Sequence, residues 1–174
     1  APGHALPGRL VRAPEPRVAD DSVVPVELPP AAAQVGSGEL AQHNGLGGFT
    51  RDGREYVITT TGAARTPAPW VNVIANPWFG TVISESGAAY TWCENAHGNR
   101  LTPWNNDPVC DGSGEAFYLR DEESGQFWSP TPLPASDDKP TTTRHGFGYS
   151  VFEHENGGIA SELRTFVATD APIK

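Results

Sequence analysis

From Gly45 onward, apolar residues recur at every second position in short runs broken by Gly, Asn-Pro or Ser-Gly. A period of two sends successive side chains to opposite faces of an extended strand. In EYVITT it puts Tyr56 and Ile58 on one face. In GYSVFEHE it puts Tyr149 and Val151 on one face and Ser150, Phe152 and His154 on the other. IASELRTFVA sets Ile159, Ser161, Leu163, Thr165 and Val167 together. A helical reading of that run is possible, but the Gly pair before it and its β-branched tail favour a strand. Strands are also predicted in WVNVIANP, WFGTVISES, AAYTWCE, EAFYLRD and GQFWSP, and in RHGFGYSVFEHEN read as one run. Asp52-Gly53, EESGQ and ENGG read as hairpin turns. Many short strands with Gly/Pro turns and no long helical period predict an all-β, antiparallel β-sandwich.

The first 43 residues break this pattern. They hold seven prolines and none of the chain's Phe, Trp or Tyr, the first of which is Phe49. Such a segment cannot bury much surface and reads as an extended Pro/Ala-rich linker, residues 1–43. Residues 44–174 are then the sandwich domain. With 174 residues, the chain is long enough for one core and short for two. Its content of 19 Gly and 17 Pro fits short elements joined by turns. The absence of methionine suggests a piece excised from a longer polypeptide.

The formal charge of −9 argues against nucleic acid or an anionic membrane surface as a partner. No apolar run approaches the roughly 18–20 residues of a membrane span, and the first residues lack the apolar core of a signal peptide. Cys93 and Cys110 do not make a disulfide framework and are expected to be free thiols. No Cys/His spacing calls for zinc, and no cofactor is expected.

Candidate chemistry concentrates in NRLTPWNNDPVCDGSGEAFYLRD, residues 99–121. Trp92, Asn95, Asn99, Arg100, Thr102, Trp104, Asn105, Asn106 and Asp107 crowd one stretch. A sugar requires this mixture: its apolar ring faces rest on indole, and its hydroxyls need amide, carboxylate and guanidinium partners. A stiff structural turn built on Pro103 and Pro108 accounts for the same residues. PWVNVIANPW repeats the theme with Trp70, Asn72, Asn76 and Trp78, although any single Trp is by default a core residue.

Glycoside hydrolysis usually takes two carboxyl groups set across the bond. Asp107, Asp111 and Glu115 are close in sequence only. Glu153 and Glu155 share a strand face, as either a crowded pair or a solvated surface, and Glu162 lies on another strand. His97, His145 and His154 could move protons near neutral pH, as a sugar mutarotase would with a His and a Glu. No Gly-x-Ser-x-Gly elbow or Walker loop is present. NGLGGF lacks a following helix and reads as a tight turn.

NGLGGFTRDGREYVI, TPAPWVNVIANPWFGTVISESGAAYTW, NRLTPWNNDPV, EAFYLRDEESGQFWSPTPLP and RHGFGYSVFEHENGGIASELRTFV closely resemble one segment of the cyclic β-1,2-glucan synthases. That segment opens a C-terminal part similar to the cellobiose and chitobiose phosphorylases, and the resemblance covers about residues 44–174. It implies an N-terminal β-sandwich of galactose-mutarotase-like (supersandwich) type, packed on an (α/α)₆ barrel that carries the catalytic aspartate. There, inorganic phosphate replaces water in an inverting attack on a β-glucoside. It implies no catalytic residue and no cofactor in this chain. Tyr90 and Trp92, together with Asn99 to Asp107, map to loops lining the mouth of the site, in some members across a dimer. The implied partners are β-1,2-glucan or a gluco-oligosaccharide, the barrel of the parent chain and a possible homodimer. The implied location is the cytoplasmic side, as a soluble part of a membrane-associated parent.

Overall fold

The pleated alternation resolves into ten strands, and every regular element among the described residues is a strand. The structure is a computed structural model that describes residues 40–62, 64–105 and 107–174. The predicted linker lies outside these residues except for its last four. Of those, Ala41 already pairs with Phe49 through two backbone hydrogen bonds.

One sheet holds five strands in the order β1 (Gly47–Phe49), β2 (Glu55–Thr61), β8 (Pro140–Gly146), β9 (Tyr149–Asn156) and β10 (Ile159–Phe166). A second holds β3 (Val71–Ala75), β4 (Phe79–Ser84) and β5 (Ala89–Cys93), and β6 (Leu119–Arg120) with β7 (Phe127–Trp128) forms a short ribbon. All pairings are antiparallel. The hairpins at Asp52-Gly53, Asp121–Gly125 and Gly157-Gly158 stand where the turn residues put them. Gly53, Gly125, Gly157 and Gly158 all have positive φ, which costs glycine little.

Two strand readings change. RHGFGYSVFEHEN is not one run: the chain reverses at Phe147-Gly148, with Gly148 at φ +83°, and makes the β8–β9 hairpin. Strand β8 also starts earlier, at Pro140, because Thr141 to Arg144 pair on both sides, with β2 and β9. EAFYLRD supplies only the two residues of β6.

The core forms where the two main sheets face each other. Ile74 of β3, Ile83 of β4 and Ala89 of β5 meet Phe152 of β9, with Leu163 and Val167 packed alongside. Phe152 is fully buried, as its predicted face requires. The sheets are also joined by polar contacts. Asn72 Nδ2 donates to the carbonyls of Gly146 (2.9 Å) and Tyr149 (2.8 Å). Asn76 Nδ2 donates to those of Ala168 and Ala171, both at 2.8 Å. Thr143 Oγ1 donates to the Glu85 carbonyl at 2.9 Å. Asn72 and Asn76, read above as a second sugar-binding set, therefore bond the fold together.

The outer face of the five-stranded sheet carries an ion cluster. Arg144, 1% exposed, makes a forked contact with Glu153, with Nη2 at 2.9 Å from Oε2 and Nε at 3.2 Å, and lies 3.6 Å from Glu55. Tyr149 Oη donates to Glu55 at 2.7 Å, and burial together with that carboxylate pushes the phenol up to about 12. Glu153 is therefore neither a solvated charge nor half of a crowded pair with Glu155, which is exposed. The guanidinium across the strand neutralises it.

Phe152→Ala is expected to destabilise the domain by about 3–5 kcal/mol, the range for deleting a buried aromatic. A urea titration of the variant beside the native chain measures this. A loss below about 1 kcal/mol would remove Phe152 from the centre of the core.

Candidate functional site

Because β5 alternates, Ala89 and Thr91 point inward, while Tyr90 and Trp92 point to the outer face of the three-stranded sheet. The register places Val82 beside Tyr90, Ser84 beside Val71 and Gly80 beside Trp92. Trp92 lies over Gly80 so closely that a Cβ there would come within 2.3 Å of the indole. Gly80 is thus needed to seat the ring.

The segment after β5 folds back over this face. Arg100 bridges to Trp92, and Leu101 N donates to Thr91 O at 2.8 Å. Trp104 stacks on Tyr90 with centroids 5.4 Å apart and planes at 30°, and Tyr90 is 5.6 Å from Trp92. The Arg100 guanidinium sits 4.8 Å from the Trp104 centroid and 5.9 Å from that of Tyr90. Such contacts contribute about 0.5–1 kcal/mol each at exposed sites. Trp104 nonetheless remains 46% exposed.

Beside this stack lies a cavity of about 270 Å³. Its floor is Val71, Val82 and Tyr90, and its far wall runs from Trp104 and Asn105 to Asp107 and Asp111. Acidic anchors hold that wall. Asp111, at φ +47°, accepts hydrogen bonds from the buried hydroxyls of Ser84 (2.6 Å) and Ser86. Glu115 accepts from Thr91 Oγ1 (2.5 Å) and Thr102 Oγ1 (2.7 Å) and pairs with Lys174. Lys174 Nζ also reaches Thr81 Oγ1 at 3.0 Å. Gly114 passes so close to the Pro103 carbonyl that a Cβ would lie 2.2 Å from it.

The carboxyl groups differ in setting. Burial works against charge on Glu115, but the bonds from Lys174, Thr91 and Thr102 outweigh it and hold that carboxyl below its ordinary value. Burial instead pushes Glu85 up, against its bonds from Thr66 and the Trp70 amide, with the Asp111 charge adding to the rise. The Cys110 and Val109 amides hold Asp107 down.

The candidate residues thus sort by position. Tyr90, Trp104, Asn105 and Asp107 line the cavity, and Trp92 and Arg100 extend the aromatic cluster next to it. Thr102 is bonded into the wall's support, accepting from Thr91 N and donating to Glu115. Asn99 is exposed at the hairpin tip, where its amide and carbonyl close the turn. Asn106 lies outside the described residues. Of the remaining indoles, Trp128 is buried, Trp78 is half exposed and Trp70 packs edge-on against Tyr56. Of the polar lining residues, Asp111 is read above only as a carboxylate close in sequence to others, and Ser84 is not singled out. DPVCDG shows the carboxylate, but nothing in it shows that the serines of VISES lie beneath.

The histidines are bonded into the fold. His145 Nε2 donates to the Trp70 carbonyl and Nδ1 accepts from Ser150 Oγ, both at 2.9 Å, and burial pulls its pKa down. His154 contacts Thr141 and Asp137. His97 is exposed, 3.3 Å from Arg100. Cys93 and Cys110 are free thiols, and the Asp107 carboxylate pushes the Cys110 thiol up.

The chain is thus an antiparallel sandwich with an aromatic-walled cavity on the outside of its smaller sheet. The family model described as glycosyl hydrolase 94, supersandwich domain, matches residues 54–174, and the chain belongs to that family. It is 44% identical to the cyclic beta-(1,2)-glucan synthase NdvB of Rhizobium meliloti over 82% of its own length, which is 5% of that protein. It is 38% identical to the N,N'-diacetylchitobiose phosphorylase of Vibrio furnissii over 70% of its length, and 33% identical to the solabiose phosphorylase of Paenibacillus borealis over 75%. The chain spans 15% and 17% of those two proteins.

Glu115 gives the site a pH signature. Its folded pKa lies below the ordinary 4.5, so its stabilising contribution is present above that value and is lost as pH falls through the folded pKa. Glu115→Gln is expected to flatten the acid limb of a plot of Tm against pH. An unchanged limb would assign the acid sensitivity elsewhere.

Proposed function

We propose that this sandwich is a non-catalytic carbohydrate-lining module of a cyclic β-1,2-glucan synthase-like glycoside phosphorylase. In this reading it presents the Tyr90–Trp104 platform and the adjoining polar wall to a glucan, while a barrel elsewhere in the parent protein breaks the bond. The observation that carries the reading is the convergence of Tyr90, Trp104 and Arg100 beside a cavity of about 270 Å³ walled by Asn105, Asp107 and Asp111. Family membership supports it, as do relatives named for glucan synthesis and disaccharide phosphorolysis. In the parent, the module faces the cytoplasmic side as a part lying outside the bilayer. Among the described residues, no helix is long and apolar enough to cross a membrane.

A second reading, a purely structural or interaction module, draws support from Val71 and Val73. These are 51% and 61% exposed on the same outer face as the cavity, where a partner surface would cover them. A stand-alone aldose epimerase draws less support, since His145 and His154 are both held by hydrogen bonds within the fold.

Titration of the ¹⁵N-labelled chain with β-1,2-linked gluco-oligosaccharides is expected to shift the Trp104 indole and Asn105 signals. Trp104→Ala is expected to weaken binding on the order of tenfold, the scale of one aromatic contact, with the circular dichroism unchanged. Shifts confined to other surfaces, or none, would favour the interaction module. Catalysed interconversion of glucose anomers would overturn the non-catalytic assignment.

A further inference from the structure

We propose that the cavity prefers saccharides with hydroxyl or ammonium donors over saccharides bearing negative charge, and that Asp111 is the residue that sets this preference. The inference rests on the carbohydrate-lining reading above and adds the class of sugar. It follows from the wall's chemistry. Asp107 and Asp111 both line the cavity, and none of its described lining residues is Lys, Arg or His. Arg100 stacks on Trp104, but it does not line the cavity, and its Nε and Nη2 are turned to the Ala96 carbonyl and His97.

Asp111 is held by two serine hydroxyls that both reach Oδ2. Its Oδ1 remains as an acceptor on the lining side chain. Asp107 accepts from the Val109 and Cys110 amides at Oδ1, and its carboxylate also accepts from the Cys110 thiol. Ser84 already donates to Asp111, and the other donor-bearing lining side chains, Tyr90, Trp104 and Asn105, are all neutral. The charges on the wall are therefore all negative, and its donors are all neutral. A sugar hydroxyl can donate to a carboxylate in a charge-assisted bond, and an ammonium does so more strongly. A uronate or a phosphorylated sugar brings a like charge to two fixed carboxylates and finds no cation among the lining side chains to offset it. Glu85, between Ser84 and Ser86 in sequence, lies close enough to interact with the Asp111 charge and adds to the negative field when ionised.

The test uses the full 174-residue chain with methyl β-glucoside, methyl β-glucosaminide and methyl β-glucuronide as probes, followed through the Trp104 indole and the Asn105 and Asp111 amides. The glucuronide is expected to bind at least about tenfold more weakly than the glucoside at low ionic strength, with the gap shrinking as salt is added. In Asp111→Asn, whose amide oxygen can still accept from the serines, the gap is expected to fall several-fold. Asp107→Asn provides a second reading should Asp111→Asn fail to fold. Equal or tighter binding of the glucuronide overturns the preference while leaving the carbohydrate reading intact. An unchanged gap in a folded Asp111→Asn removes Asp111 from the role. Failure of the glucoside and the glucosaminide alike to move the Trp104 signals overturns the carbohydrate reading and the preference with it.

Discussion

The arrangement depends on carboxylates being bonded to hydroxyls on the strands their loop crosses. The segment from Arg100 to Glu115 contains no regular element of its own. It is fixed because Asp111 is held by Ser84 and Ser86, and Glu115 by Thr91, Thr102 and Lys174. Each carboxylate is only part-exposed, so a lost partner would leave charge without compensation, which is far costlier than a surface ion pair. Two anchors four residues apart in sequence tie the end of the loop to the strands beneath it. A platform ordered before the ligand arrives spares the ligand that ordering cost.

The same device recurs on the far side of the sandwich, where Arg144 is buried between Glu153 and Glu55 with Tyr149 closing the cluster. The domain thus sets charged networks beside both sheets, while Ile74, Ile83, Ala89 and Phe152 form the apolar cluster between them. An apolar core this small needs help, and the threonine, serine and asparagine contacts between the layers supply it.

Local signals in the sequence carried the strands well. Tyr149 to His154 alternated as read, and Asp52-Gly53 and Gly157-Gly158 turned where their tolerance of positive φ allows. The β8–β9 hairpin escaped notice because Phe147 fills a turn position with an apolar residue, so no polar break marks it. What pairs across the chain was not legible. Asn72 looked like a ligand contact until Gly146 and Tyr149 came beside it. Arg144 drew no attention, because burial of a guanidinium is decided by partners nine and 89 positions away. Arg100 and Trp104 stood out by the density of their stretch, whereas Tyr90 entered only through the family resemblance. Asp111 and its serines, 25 to 27 positions apart, did not stand out.

The amide of Asn72 has a consequence of its own. A single planar group on β3 grips two carbonyls at the β8–β9 hairpin, and its pleat neighbours Val71 and Val73 face the opposite way. If β3 slipped by one residue against β4, Asn72 would turn outward, the grip would be lost, and the valines would swap sides with the core. That small stitch indexes the open surface of the smaller sheet to the hairpin of the larger one.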